Sequence, residues 1–219
     1  DKSLIKYHLI GLKFKGMALY FKGFFDEALE IFEIGLEKSY NKKTKTNFLM
    51  SLANVYQQSG KNMSMALTYY EEILDLIVIT DTIEEEELLM RSGVIMNIGL
   101  IYKKMGNYKV ALKNYQHYVS TNKKYNNDKF IHSAFLNIGN IYKKMGNYEL
   151  ALKYYHLALG EKRKIHRLNI LDGICILHYE TNENDSALYY AKKKYTLSKE
   201  LNNIEGEIKS LDRIGSILI

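Results

Sequence analysis

The chain has 219 residues, 47% hydrophobic and 26% charged, which is the balance of a packed chain rather than a disordered one. Its formal net charge of +6 mildly favours acidic partners and is too small to argue for nucleic acid. A single cysteine excludes an intrachain disulfide, and the absence of Pro favours helices with few hard stops.

No apolar run reaches the ~18 residues a membrane helix needs. The richest, from Ile73 to Ile79, is short and broken by Asp75. A cytoplasmic chain without a membrane partner is the expectation. Because it opens at Asp1 rather than Met, it is expected to be a fragment of a longer protein.

In chain order, one pattern recurs. Gly16, Leu19, Gly23, Phe25, Ala28 and Phe32 form its first copy. Ala53, Tyr56, Gly60, Ala66 and Tyr70 form the second, with one residue inserted near Asn62. Gly99, Tyr102, Gly106, Tyr108, Ala111 and Tyr115 form the third. The fourth, Gly139, Tyr142, Gly146, Tyr148, Ala151 and Tyr155, repeats the third almost letter for letter at an offset of 40 residues. Gly173, Ile176, Ala187 and Ala191 make a degenerate fifth copy, whose turn from Glu180 to Asp185 reads as longer and has no Gly. Gly215 marks the first helix of a partial sixth.

Self-similarity at such a period belongs to stacked helical repeats. Each copy reads as a helix A, a tight turn and a helix B. Gly inside a helix costs ~1 kcal/mol against Ala. Gly16, Gly99, Gly139, Gly173 and Gly215 therefore call for a neighbouring helix too close to admit a Cβ. Gly106 and Gly146 suit the left-handed residue that ends helix A, and Asn107 and Asn147 suit the cap of helix B. Thr82 and Glu85 form a capping-box pattern, with the acidic run Glu84 to Glu87 in the first turn of the next helix.

These marks resemble the tetratricopeptide repeat. The resemblance covers nearly the whole chain, although the family's usual Pro is absent and most spacings exceed its ~34 residues. It implies an all-α, right-handed superhelical solenoid of antiparallel helix hairpins, about five repeats plus a partial sixth. The repeats fall at roughly 9–42, 46–79, 92–125, 132–165 and 166–200, with a partial helix at 206–219.

The resemblance also implies a concave, groove-facing stripe on the A helices. Carried over, that stripe comprises Lys13, Met17, Tyr20, Asn47, Met50, Asn54, Gln57, Met96, Leu100, Lys103, Ser133, Leu136, Asn140, Lys143, Arg167 and Ile170, flanked by Asn97, Asn137, Lys104 and Lys144. Asn and Gln carboxamides both donate and accept, so they suit an extended peptide backbone. Asn54 and Asn140 are poor mid-helix residues and ask for a reason. Lys103, Lys104, Lys143 and Lys144 read either as ligand contacts or as solvated cations favoured at helix C-termini. The carboxylate-clamp pattern of chaperone-binding members is matched only at Lys13.

The resulting expectation is a non-catalytic module that binds a protein or peptide, acidic ones among the candidates, as part of a signalling or transcription-regulatory protein. Peptide-pheromone regulators of the Rap, PlcR and NprR kind are similar and supply a second reading. Self-association as a structural scaffold supplies a third. No cofactor, metal or direct nucleic-acid contact is expected. The histidines lack metal-ligand spacing, and no phosphate loop or nucleophile elbow is present. Cys175 and His178 share a helical face, but no orienting acid stands at a position readable from the sequence, so a nucleophilic pair is not expected.

Overall fold

Eleven helices and no strand make up residues 2–80, 82–125 and 131–219, the part of the chain that the structure, a computed structural model, describes. They are α1 (Lys2–Lys22), α2 (Phe25–Glu37), α3 (Lys42–Ser59), α4 (Met63–Leu76), α5 (Glu85–Lys104), α6 (Tyr108–Lys124), α7 (Ile131–Lys144), α8 (Tyr148–Ala158), α9 (Lys164–Glu180), α10 (Asn184–Glu200) and α11 (Ile204–Leu218). They group into two compact units, Asp1–Ala111 and Leu112–Ile219. In the first, α1 packs on α2 and α3 on α4; in the second, α7 packs on α8 and α9 on α10.

Short connections force each pair antiparallel, and their chemistry is local. Gly106 and Gly146 take φ of +77° and +75°. The Asn107 amide donates to the Tyr102 carbonyl, and the Asn147 amide to the Tyr142 carbonyl, both at 2.9 Å. These bonds satisfy carbonyls that the ending helix leaves open. Each Asn then caps the next helix, its side chain accepting from the Val110 amide at 3.3 Å and the Leu150 amide at 3.1 Å.

Two expectations about helix ends are corrected. The turn of the fifth copy is not longer. Thr181, Asn182 and Glu183 join α9 to α10, as Met145, Gly146 and Asn147 join α7 to α8. Asn182 holds φ +59° in the place of the Gly, and the Glu183 amide donates to the His178 carbonyl at 2.8 Å. Asn tolerates the left-handed region because its short amide bonds locally.

The capping box at Thr82 does not form either. Glu84 is the N-cap of α5 and makes no side-chain capping bond. Glu86 and Glu87 instead reach back to α3. Glu86 pairs with Lys43 at 2.7 Å, and Glu87 pairs with Lys42.

Interior glycines mark where helices touch. A Cβ on Gly16 would lie 2.3 Å from the Phe32 ring, and one on Gly139 2.6 Å from the Tyr155 ring. One on Gly173 would stand 3.2 Å from the same Tyr155 ring, which thus lodges between two A helices. Gly215 departs from the expectation, since no described atom lies within 4 Å of a Cβ there. Gly35 was not anticipated. Its missing Cβ makes room for Phe48, which would otherwise stand 2.1 Å away.

The buried core of the first unit runs through Phe32, Phe48, Leu52, Tyr70, Ile73 and Val94. In the second, Cys175 packs with Ala187, Ala191 and Ile217, and Leu168 with Leu171 and Leu197. Burying one such large apolar side chain contributes roughly 1.5–3 kcal/mol.

Candidate functional site

On the first unit, α1 and α3 place polar and apolar side chains around one depression of about 230 Å³. Lys13, Met17, Tyr20, Asn47, Met50 and Asn54 of the A-helix stripe line it, joined by Phe21, Phe32 and Ser51. The Lys13 ammonium donates to Asn47 Oδ1 at 3.4 Å. Two thioethers and three rings give the depression apolar walls, and the amine and carboxamides give it a polar rim. A concave apolar site with a few convergent polar groups is the usual form of a ligand pocket.

Asn54, Gln57 and Asn97 meet behind this face at the hydroxyl of Tyr70. Tyr70 is fully buried on α4 and lies 2.7 Å from Asn54 Oδ1 and 2.7 Å from the Gln57 amide oxygen position. A phenol carries one proton, so one carboxamide presents its oxygen and the other its NH₂. Burial raises the Tyr70 pKa above the usual phenol range, and a hydrogen bond from Asn97 partly opposes the rise. The mid-helix Asn54 thereby has its reason: it satisfies a buried hydroxyl on helix B.

The second unit repeats the device. The fully buried Tyr155 donates to Asn140 Oδ1 at 2.8 Å, from α8 to α7. Burial raises its pKa, and the carboxylates of Glu180 and Asp172 add to the rise. Asn137 lies on α7 one turn before Asn140 and donates to the Ser133 carbonyl at 3.0 Å. Lys143 lies one turn after and is paired with Glu180 of α9 at 2.9 Å, so its charge is partly neutralised. Tyr142 is half-buried and stacks on Tyr154 at 5.5 Å between ring centroids.

The remaining predicted residues stand apart. Lys103 is half-buried near the end of α5, and burial, with the neighbouring Lys104, lowers its pKa. Arg167 is half-buried on α9, and its Nε has no partner among the described residues. Ile170 is 2% exposed and belongs to the core, not to an open face.

Cys175 is buried. Its thiol donates to the Ala187 carbonyl at 3.3 Å, and burial pushes its pKa up. That is the reverse of an activated nucleophile. His178 turns elsewhere, with Nδ1 2.9 Å from Glu183 and its ring stacked on Tyr190. Among the described residues no group of three or more His, Cys, Asp or Glu is placed to hold a metal ion. No described helix is long and apolar enough to cross a membrane.

Antiparallel helix pairs with glycine-accommodated contacts and a polar A-helix face define a helical-repeat module of the protein-binding class. Residues 93–125 and 132–162 each match a family model of the tetratricopeptide repeat. Those two stretches carry tetratricopeptide repeats, within an all-helical repeat fold.

Solved structures agree in fold. The apo form of RapI superposes with a TM-score of 0.76 at 18% identity, covering 91% of this chain and 56% of that one. Aspartyl phosphate phosphatase F from Bacillus subtilis gives 0.78 at 16% identity, covering 94% and 55%. The Rap conjugation gene regulator of the plasmid pLS20, in complex with the Phr* peptide, gives 0.70 at 15% identity, covering 98% and 62%. The chain thus spans little more than half the length of RapI. No curated protein matches it by sequence.

Proposed function

We propose that the chain binds an extended peptide segment of a partner protein on the A-helix face of its first unit, as the recognition part of a regulatory protein. The convergence of Lys13, Asn47, Met50 and Asn54 on one depression carries this reading. Tyr70 holds the Asn54 carboxamide in place before any ligand arrives, and a fixed donor–acceptor costs less to order on binding. The apolar walls take one side chain of the segment, while Lys13 favours an acidic neighbour. Asn137 and Asn140 offer similar amides on the second unit.

A receptor for a short signalling peptide is the second reading. It is favoured by the likeness to a Rap regulator in complex with its peptide.

The test is selection of binders from a displayed peptide library, followed by calorimetry on Lys13→Ala and Met50→Glu, which leave the Tyr70 network untouched. Each is expected to weaken a selected peptide by tenfold or more; Lys13→Ala leaves thermal unfolding unchanged, whereas Met50→Glu also lowers it, because Met50 packs against the core cluster around Tyr70. Unaltered affinity in both variants sinks the assignment.

A further inference from the structure

The fifth repeat sits two residues out of the register that Gly173 suggests. Gly139 of α7 approaches the Ala151 carbonyl so closely that a Cβ there would stand 3.2 Å away. On α9 the residue in that place is Cys175, whose thiol meets the Ala187 carbonyl at 3.3 Å. Both contacts join residues twelve apart. Tyr142 stacks on Tyr154 at 5.5 Å, and His178 stacks on Tyr190 at the same 5.5 Å. The left-handed turn residues, Gly146 and Asn182, follow Gly139 and Cys175 by seven residues each. Cys175, not Gly173, therefore corresponds to Gly139.

That shift moves the open face of α9. The stripe leaves Arg167 and Ile170 and falls on Asn169, Asp172, Ile176 and Tyr179. None of these four is buried, whereas Ile170, Ile174 and Leu177 are.

Asp172 thereby becomes a neighbour of Asn140. The Tyr155 ring lies between α7 and α9, and a Cβ at Gly173, the residue after Asp172, would stand 3.5 Å from its hydroxyl. Each of the two polar groups is held from behind by a side chain of a helix B. Asn140 Oδ1 accepts from Tyr155 of α8 at 2.8 Å. Asp172 Oδ1 accepts from Lys194 of α10 at 2.6 Å, and the Lys194 side chain is only 9% exposed.

What each group has left is of one kind. The Asn140 NH₂ can only donate, and the ionised Asp172 Oδ2 can only accept. Neither has a hydrogen-bond partner among the described residues. Lys209 of α11, the other cation whose charge Asp172 meets, is paired with Glu205. A residue of an extended chain turns its C=O and its N–H to the same side, and that pair asks for one donor and one acceptor. Ile176 and Tyr179 continue the α9 face with apolar surface.

We propose that the second unit carries a site of its own for an extended peptide segment. Asn140 donates to the backbone carbonyl of one ligand residue, Asp172 accepts from the amide of the same residue, and Ile176 and Tyr179 pack on an adjoining side chain. The ligand class rests on the peptide-binding reading above; the second site and the roles of Asp172, Ile176 and Tyr179 go beyond it. Both polar groups are fixed before the ligand arrives, which lowers the cost of ordering them.

Peptides selected from a displayed library on the unmodified chain are sorted by calorimetry on Lys13→Ala. Those it weakens belong to the first unit; those it leaves undiminished are the probes for the second. Ile176→Glu and Asp172→Asn are each expected to weaken these probes by tenfold or more. Asp172→Asn keeps an oxygen for Lys194 and presents an NH₂ where the free acceptor stood. Scanning a probe with backbone N-methyl groups gives a readout that a merely structural role would not move. At one position, methylation should weaken binding to the unmodified chain by tenfold or more and cost nothing further in Asp172→Asn. Should Asp172→Asn melt early, Tyr179→Ala, which alters an exposed side chain, takes its place in the affinity comparison. The proposal is overturned if no selected peptide keeps its affinity for Lys13→Ala, or if the probes ignore Ile176→Glu and Asp172→Asn. N-methyl costs that are the same in both chains overturn it too. The first-unit reading fails separately, when Lys13→Ala and Met50→Glu weaken none of the selected peptides.

Discussion

The third and fourth repeats are written in nearly the same letters, yet their buried tyrosines end in different surroundings. Tyr155 donates to Asn140 at 2.8 Å. Tyr115, its counterpart in sequence, is equally buried, and its hydroxyl has no partner among the described residues. At the position that Asn140 holds in the fourth repeat, the third has Leu100. A polar group stripped of water without a partner costs about 1–3 kcal/mol. The comparison shows that the repeated letters carry packing and turns. The letter that varies decides whether a hydroxyl is satisfied and a carboxamide held.

The largest effect expected is from Tyr155→Ala. It removes a ring wedged between Gly139 and Gly173 and should cost about 3–5 kcal/mol in urea unfolding. Gly139→Ala approaches the same contact from the other side. The added carbon meets the ring at 2.6 Å, and the expected loss is about 1–3 kcal/mol. Gly93→Ala adds a carbon into open space and should instead gain up to ~1 kcal/mol from helix propensity.

The hydroxyls themselves give a finer contrast. Tyr155→Phe leaves the Asn140 carbonyl without its donor and should lose about 1 kcal/mol. Tyr115→Phe removes an unsatisfied hydroxyl and should be neutral or stabilising by up to ~1 kcal/mol in the same unfolding measurement. Equal losses at both sites would erase the comparison.

The smallest expected effect is on acid stability. A hydrogen bond from Arg163 holds the buried Glu161 carboxyl down at about 2, well below its ordinary value. Its folded pKa lies below the unfolded one, so its contribution is fully present above the ordinary carboxylate range. That contribution is lost as pH falls toward 2. Glu161→Gln should flatten the pH dependence of the melting temperature in that window and leave the melt at neutral pH less stable.

Turns and caps were legible because they are local. Gly106, Gly146, Asn107 and Asn147 each do what their type and position demand. The fifth turn was misread because Asn182 takes the left-handed conformation without being Gly, and pattern alone does not separate that Asn from a loop residue. The acidic run before α5 was misread for the opposite reason: its carboxylates answer lysines more than forty residues earlier, which no local rule sees. Of the A-helix stripe placed from repeat register, Lys13, Met17, Tyr20, Asn47, Met50 and Asn54 line the depression between α1 and α3, whereas Ile170 is core. That Asn54, Gln57 and Asn140 also serve buried tyrosines was not legible. It depends on which helix B ring reaches which helix A amide.

The account rests on the α1–α3 face being the recognition surface, with amides held ready by buried tyrosine. Titrating ¹⁵N-labelled chain with a selected peptide reads this out directly. The side-chain NH₂ resonances of Asn47 and Asn54 are expected to shift, while those of the capping Asn107 and Asn147 stay still. Saturable binding that moves neither Asn47 nor Asn54 would contradict it.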